Sequence, residues 1–307
     1  MKRIAIIGAP CIDEVISPTG EVTSTQLGGI LYSYAAMERA AAVVDLDVEI
    51  IPLTFISIPD SDHLIPFFQQ LKHFSFSSAP KTDSLLSNRV KLVYSTDSER
   101  SEFCASILPE LKPEHFDPQL LASLDGIFIN MISGLDISLE TLKYIRQNTK
   151  AYIHLDVHAM ILGELSNTPD KPRLVRGVKQ WREWLTNVDS AQMNEMEADW
   201  FAVPEVATEI DFVREARNLY KTTGAPKSII VTRAERGATC FDFEHDKIWN
   251  KVPVKRVIKN TTGSGDVFGA VYTLSKVFGT SEEQSLFQAE EMAGWNAGLE
   301  KLEDILV

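Results

Sequence analysis

The chain has 307 residues, of which 44% are hydrophobic and 24% are charged, and its formal net charge is -13. A length near the ~250–300 residues at which single hydrophobic cores stop growing predicts one main domain, residues 1–307, carrying an excursion. The acidic balance disfavours nucleic acid and membrane as partners, since clustered Lys and Arg supply affinity for phosphate groups. We expect a cytoplasmic protein, because the chain has neither a signal-peptide start nor an uninterrupted apolar run of about 18 residues.

Strand-like and helix-like runs alternate along the chain. Apolar runs typical of buried strands occur at residues 3–8, 48–56, 126–130, 152–157 and 228–233. Runs with helical spacing occur at residues 32–43, 61–74, 138–148 and 211–224, with Ser61 as a plausible N-cap. Such alternation predicts an α/β fold with a mostly parallel central sheet and helices on both faces.

Residues 88–107 interrupt this alternation with two strand-like runs around the sequence STDSER. The pattern predicts a β-hairpin that leaves the core as a lid or an interface flap, and residues 14–26 are a second candidate segment for this lid. The alternative is an antiparallel addition to the edge of the main sheet. Because exposed strands tend to pair with another copy, we expect a homodimer through the lid. Residues 238–254 predict a second hairpin.

The sequence NTTGSGDVFGA, residues 260–270, lies between a strand-like run at 254–258 and a helix-like run at 266–279. It contains neither a P-loop, nor a dinucleotide fingerprint, nor a nucleophile elbow. Glycines before a helix expose backbone N–H groups that, with the helix dipole, favour an anion. Asp266 could then act as a base in phosphoryl transfer. The spacing alone equally allows a plain turn followed by an acid in a helical first turn.

The stretch IKNTTGSGDVFGA resembles the signature of the PfkB (ribokinase-like) carbohydrate kinase family, D-T-x-G-A-G-D-x-F. Further motifs resemble that family in the same order: GAPCIDEV and LGGILYS near the start, the STDSER hairpin, MNEMEAD at 193–199 and VTRAERGA at 231–238. Together they extend over nearly the full length of the chain. The resemblance implies a three-layer ribokinase-like sandwich with a small β lid.

The resemblance also implies an ATP-dependent kinase that phosphorylates a hydroxymethyl group of a sugar or nucleoside, with ATP and Mg²⁺ as cofactors. It assigns the catalytic base to Asp266 and the anion hole to the amides of Gly263, Ser264 and Gly265. For the remaining roles it implies ATP binding by Asn194, Thr232 and Gly237, a water-mediated magnesium contact by Glu197, and substrate binding by Asp13, Gly28, Gly29 and Ser33. Without the resemblance, Asp13 could equally be a solvated turn acid, and Asn194 and Glu197 could be helix caps.

Several residues depart from the family pattern. Asn260 replaces the first aspartate of the signature, which puts a monovalent-cation site in doubt, and Ala234 replaces a glycine of the nucleotide stretch. Ser33 stands where the family has asparagine, and the adjacent Tyr32 is bulky. The reaction is therefore better supported than any substrate. The alternative function is a nucleotide- or sugar-binding protein of the same fold that has lost catalysis.

Other groupings favour no separate site. The scattered residues Cys11, Cys104 and Cys240 predict neither a disulfide framework nor a zinc site. On one strand His154 and His158 would stand ~13 Å apart, too far to share a metal unless the strand ends first. In the family pattern that strand end borders the cleft, so Asp156 is a candidate to touch substrate or magnesium. The i, i+3 tryptophans at 181 and 184 favour helix packing.

Overall fold

The computed structural model describes residues 1–17, 19–94, 100–163, 174–206 and 208–307. The strands in these ranges are β1 (Lys2–Ile7), β2 (Pro10–Ile16), β3 (Val22–Gly29), β4 (Val48–Leu53), β5 (Ile56–Ser57), β6 (Lys81–Thr82), β7 (Asn88–Tyr94), β8 (Arg100–Ser106), β9 (Gly126–Asn130), β10 (Tyr152–Asp156), β11 (Ser190–Asn194), β12 (Ser228–Thr232), β13 (Ala238–Asp242) and β14 (Lys247–Lys251). The helices are α1 (Leu31–Val43), α2 (Ser61–Phe68), α3 (Pro118–Ala122), α4 (Leu139–Asn148), α5 (Trp181–Thr186), α6 (Glu195–Trp200), α7 (Glu209–Thr223), α8 (Ser264–Val277) and α9 (Glu282–Asn296).

Eight strands form the main sheet, in the order β14-β13-β12-β11-β10-β9-β1-β4. Within this sheet β4, β1, β9, β10, β11 and β12 are all parallel, and β13 and β14 add an antiparallel hairpin beyond β12. One face packs against α4, α5 and α7, and the other packs against α1, α8 and α9. The predicted fold class, a mostly parallel sheet with helices on both faces, is confirmed.

The central strands are apolar on both sides because both faces of the sheet are covered. In β1, Ala5 and Ile7 join one core cluster, while Ile4 and Ile6 join the other. All four side chains are 0% exposed, so successive residues of one strand fill opposite layers. This explains why the strand appears in the sequence as an unbroken apolar run.

A second, four-stranded sheet has the order β3-β2-β7-β8. Within it, β2 and β3 form one antiparallel hairpin, β7 and β8 form another, and β2 and β7 join them in parallel. The hairpin at 88–107 therefore pairs with β2 and is not an edge addition to the main sheet. Its tip, residues 95–99, lies outside the described residues.

Three local predictions were wrong. Residues 254–258 form no strand, because Pro253 lacks an N–H group and interrupts the ladder after β14. The helix predicted over 61–74 ends at Phe68, since the chain turns and Phe74 bridges to Ile50 beside the sheet. The strand predicted over 48–56 breaks after Leu53.

The predicted N-cap of α2 was also misplaced. Asp60, rather than Ser61, occupies the N-cap position, and no side chain caps the helix. The Asp60 carboxylate instead accepts a hydrogen bond from the Ser87 amide at 2.7 Å and pairs with Arg89.

Among the described helices, none combines the length and the apolar character needed to cross a membrane.

Candidate active site

The carboxyl ends of four neighbouring parallel strands carry polar residues. Asn130 ends β9, Asp156 ends β10, Asn194 ends β11 and Thr232 ends β12. Asn130 and Asp156 are register partners, as are Asn194 and Thr232. Ligands of open α/β sheets bind outside the carboxyl ends of the strands. This edge is therefore the candidate active site.

The glycine-rich stretch forms the N-terminus of α8, as the sequence predicts. Gly263 occupies the N-cap position with φ +75°, and a Cβ there would collide with the Tyr32 ring. The Val267 amide donates to the Gly263 carbonyl at 2.9 Å, so the amides of Ser264 and Gly265 precede the first helical bond. The Ser264 amide donates to the Thr261 carbonyl at 3.2 Å and would have to share that bond with an anion.

The Asp266 side chain lies in the first turn of α8 and is almost completely buried. The Asn130 Nδ2 donates to Asp266 Oδ1 at 2.6 Å, and His158 Nε2 lies 3.9 Å from the same oxygen. Burial raises the pKa of Asp266, and the Asn130 hydrogen bond and His158, when its ring is protonated, act in the opposite direction. A carboxyl group with a raised pKa and a fixed orientation suits a general base.

Two more acids surround Asp266. Asp156 is 3% exposed and accepts hydrogen bonds from the side-chain amide of Gln192 at 2.9 Å and from the backbone N–H of His158 at 3.2 Å. Burial raises the pKa of Asp156, and the charges of Glu197 and Asp266 raise it further. Burial, with a contribution from Asp266, raises the pKa of Glu197 to about 7. The charge of Asp266 thus acts on both Asp156 and Glu197.

Asn194 and Glu197 form a capping box at the start of α6. The Asn194 Oδ1 accepts from the Glu197 amide at 2.9 Å, and Glu197 Oε2 accepts from the Asn194 amide at 2.7 Å. The helix-cap role that the sequence left open is therefore present. A contact with phosphate or magnesium stays a prediction for both residues, and Asn194 is exposed while Glu197 is half-buried.

The residues predicted to bind the acceptor come from β2, β3 and α1. Asp13 is 7% exposed, and its carboxylate lies so close to Gly28 that a Cβ there would collide with it. Gly29 has φ +60° and would place a Cβ 2.8 Å from the Ala9 carbonyl. Ser33 is completely buried, and its hydroxyl donates to the Asp266 carbonyl at 3.2 Å and accepts from Asn130 at 3.3 Å. Ser33 thus ties α1 to α8.

The predicted nucleotide stretch follows β12. Gly237 has φ +87°, and a Cβ there would collide with the Lys251 carbonyl. Ala234, which replaces a family glycine, adopts φ +48°, a left-handed conformation that disfavours a Cβ. Directly before Ala234, Arg233 pairs with Glu195 of α6 at 2.8 Å and with Glu209 of α7. Thr232 is half-buried at the strand end.

Three residues of this site, Asn130, Gln192 and His158, are not among those predicted from the sequence. Asn130 and Gln192 are polar positions in apolar strands, and that is the signal by which the sequence marks them. For His158 the sequence suggests only the metal site that its distance from His154 disfavours. The strand ends at Asp156, the chain turns at His158 with φ +37°, and the imidazole approaches Asp266.

No cluster of metal-binding side chains occurs among the described residues. Trp181 and Trp184 are buried in helix packing, as expected.

Known proteins resemble this chain in sequence and in fold. The family model described as pfkB family carbohydrate kinase matches residues 169–302, which include the motifs at 193–199, 231–238 and 260–270. No curated protein matches the chain. The resemblance to this family that the motifs predict is thereby confirmed for the C-terminal part of the chain.

Solved structures match over almost the whole chain. Ribokinase from Thermotoga maritima has a TM-score of 0.73 at 15% identity, covering 99% of this chain and 96% of that one. Arabidopsis thaliana ribokinase complexed with ribose and ATP has a TM-score of 0.70 at 13% identity, covering 99% and 98%. A pyrophosphate-dependent kinase in the ribokinase family, complexed with a pyrophosphate analog and myo-inositol, has a TM-score of 0.71 at 15% identity, covering 99% of both chains. The chain has the ribokinase fold.

Proposed function

We propose that the protein is a carbohydrate or nucleoside kinase of the pfkB family that transfers a phosphoryl group from ATP to a hydroxymethyl group. The observation that carries this proposal is the placement of Asp266. Its buried carboxylate lies one residue beyond the amides of the glycine-rich turn, at the carboxyl edge of the parallel sheet. A base and an anion-binding turn are thus adjacent, which is what in-line transfer from a phosphate to a hydroxyl requires.

In this proposal Asp266 accepts the proton of the acceptor hydroxyl as that oxygen attacks the phosphorus. Asn130 holds the carboxylate through its 2.6 Å hydrogen bond and so orients the basic oxygen. The amides at Gly263, Ser264 and Gly265 take up charge on the transferring group, which is favoured at the positive end of the α8 dipole. Asp13, Gly28, Gly29 and Ser33 form the acceptor end, whereas Asn194, Thr232 and Gly237 serve the nucleotide.

The acids at this edge are of the chemical type that Mg²⁺ prefers, although no three of the described side chains form a metal cage on their own. In kinase sites Mg²⁺ is held by one or two carboxylates together with substrate phosphates, and Asp156, Glu197 and Asp266 are the candidates for that role. Burial is the main cause of their raised pKa values, and the charge of Asp266 adds to it for Asp156 and Glu197. Hard divalent cations favour such oxygen ligands, and Mg²⁺ usually keeps several waters. Glu197 would hold the ion through water. When bound, the ion would neutralise charge on the phosphates.

The second candidate function is a nucleotide- or sugar-binding protein of this fold that has lost catalysis. It is favoured by the altered acceptor end, where the Ser33 hydroxyl is used in internal hydrogen bonds. Asn260 also serves an internal role, since its Oδ1 accepts from the Thr262 amide at 2.9 Å. Against this candidate stands the retained Asp266, because a binding protein needs no base.

The deciding experiment measures ADP release from MgATP with purified protein, against pentoses, hexoses, deoxy-ketoacid sugars and nucleosides. Pyrophosphate is tested as an alternative donor. Asp266→Asn keeps the shape of the side chain but removes the base, so we expect turnover on the true acceptor to fall about 10²–10⁴-fold. Asp62→Asn is the matched control, because Asp62 also lies in the first turn of a helix, α2.

Near-normal turnover by Asp266→Asn with a proven acceptor would refute the assignment of the base. Tight ATP binding without turnover over the whole panel would instead favour the binding protein.

A further inference from the structure

Gln192 connects the glycine-rich turn to the end of a neighbouring strand. It lies in β11 and is 2% exposed. Its Nε2 donates to Asp156 Oδ2 at 2.9 Å and to the Gly265 carbonyl at 2.9 Å. A single buried amide thus holds the first turn of α8 and the acid that ends β10.

The side chain of Gln192 fits against two glycines on one side of α8. A Cβ at Gly265 would lie 3.8 Å from Gln192 Nε2, and a Cβ at Gly269 would lie 3.0 Å from Gln192 Oε1. At Gly269 a larger residue would also press on the Phe128 ring, 2.7 Å away. Glycines spaced i, i+4 lie on the same side of a helix, so they open a slot for the carboxamide.

The orientation of this carboxamide follows from its partners. Asp156 Oδ2 and the Gly265 carbonyl are both acceptors, so the NH₂ end must face them. On the opposite side, His154 Nε2 lies 3.4 Å from Gln192 Oε1, and His154 Nδ1 lies 2.7 Å from Ser190 Oγ. Burial lowers the pKa of His154 to about 4, so the ring is neutral and carries one proton.

One arrangement of protons satisfies this whole chain of groups. Gln192 Oε1 can only accept, so His154 carries its proton on Nε2 and accepts from the Ser190 hydroxyl at Nδ1. Ser190 in turn accepts from the Tyr152 hydroxyl, 2.7 Å away. The amide of Gln192 is therefore held at both ends, and flipping it would place an oxygen against two acceptors.

We infer that Gln192 is a positioning residue that fixes the Gly265 peptide, and with it Asp266, relative to Asp156. The inference rests on the proposed phosphoryl transfer. Gln192 is not itself catalytic, because it acts through the turn. Its loss would leave the Gly265 carbonyl with one hydrogen bond fewer and would free the turn to move. Because a misplacement of about 1 Å can cost about 10²-fold in rate, the turnover number should be sensitive to this contact.

The test uses Gln192→Met, which keeps the length and volume of the side chain but removes the donor. We expect kcat to fall about 10–100-fold, while the KM for ATP changes by less than about threefold. His154→Phe keeps the ring between Phe128 and Tyr272 and removes both nitrogens, so a smaller loss in the same direction is expected. If Gln192→Met fails to fold, His154→Phe tests the inference in its place.

The matched control is Gln288→Leu. Gln288 lies on α9 and accepts a hydrogen bond from Ser275 of the same helix α8 at 2.6 Å, ten residues beyond Gly265. At about 1.5 Å per residue, this contact is about 15 Å from the turn. We expect unchanged kcat and KM for this variant.

A second readout needs no acceptor. Hydrogen exchange in the segment 263–267, measured by mass spectrometry without nucleotide, should become about tenfold faster in Gln192→Met and His154→Phe, but not in Gln288→Leu. If the wild-type protein transfers no phosphate, the proposed function fails while the exchange still tests the contact. Unchanged exchange in both variants would overturn the inference, and so would faster exchange with an unchanged kcat in an active enzyme.

Discussion

Replacing Asn130 by leucine should move the acid limb of the pH–rate profile upward. Asn130 is 0% exposed, and its Nδ2 donates to Asp266 Oδ1 at 2.6 Å. This bond favours the ionised carboxylate and opposes the desolvation that raises the pKa of Asp266. Since Asp266 must be ionised to act as a base, losing the bond extends the inactive protonated form to higher pH.

The size of this effect follows from the hydrogen bond. A bond to a charged group contributes about 1.5–3 kcal/mol, which corresponds to about 10–100-fold in the protonation equilibrium. On the acid limb, kcat/KM for Asn130→Leu should therefore fall by up to that factor, and at high pH the two proteins should converge. His158, Asp156 and Glu197 are the other titratable groups coupled to this site, and the substitution leaves them in place.

The variant should fold. Asn130 Oδ1 is a buried atom with no hydrogen-bond partner among the described residues, so leucine removes an unsatisfied acceptor along with the lost donor. The assay is kcat/KM across pH with the acceptor that the panel of sugars and nucleosides identifies. Asn148→Leu is the control, since that asparagine donates to the Tyr144 carbonyl on α4. An acid limb in the same place for Asn130→Leu and the wild type would refute the reasoning.

Two further predictions concern backbone conformation. Gly263→Ala should lower the free energy of unfolding by about 2–5 kcal/mol, because φ +75° is strained for alanine and the new Cβ collides with the buried Tyr32 ring. Denaturant unfolding measures this, and a variant as stable as the wild type would contradict the prediction. Ala234→Gly should stabilise the fold by up to about 1 kcal/mol, because relief of φ +48° exceeds the entropy cost of glycine in the unfolded chain. Ala297→Gly is the control for this substitution. Ala297 has φ −61°, where glycine has no conformational advantage, so the denaturant midpoint of that variant should fall.

The order of strands and helices could be predicted because it depends on local patterns. Short apolar runs identified β1, β9, β10 and β12, and the helix predicted over 138–148 is α4 (Leu139–Asn148). The prediction failed where a segment becomes a strand only if a neighbouring strand is available to pair with it. Residues 254–258 have strand-like composition, but Pro253 and the lack of a neighbouring strand leave them outside the sheet.

The candidate site divides in the same way. The sequence by itself determined the turn before α8 and the position of Asp266, because glycine conformations and a helix N-terminus are encoded within about ten consecutive residues. Only the tertiary structure decided what surrounds them: Asn130 is 136 residues from Asp266, and Gln192 is 73 residues from Gly265. The order of the parallel strands brings these side chains together. That order depends on how the two faces of the sheet pack, which no local pattern specifies.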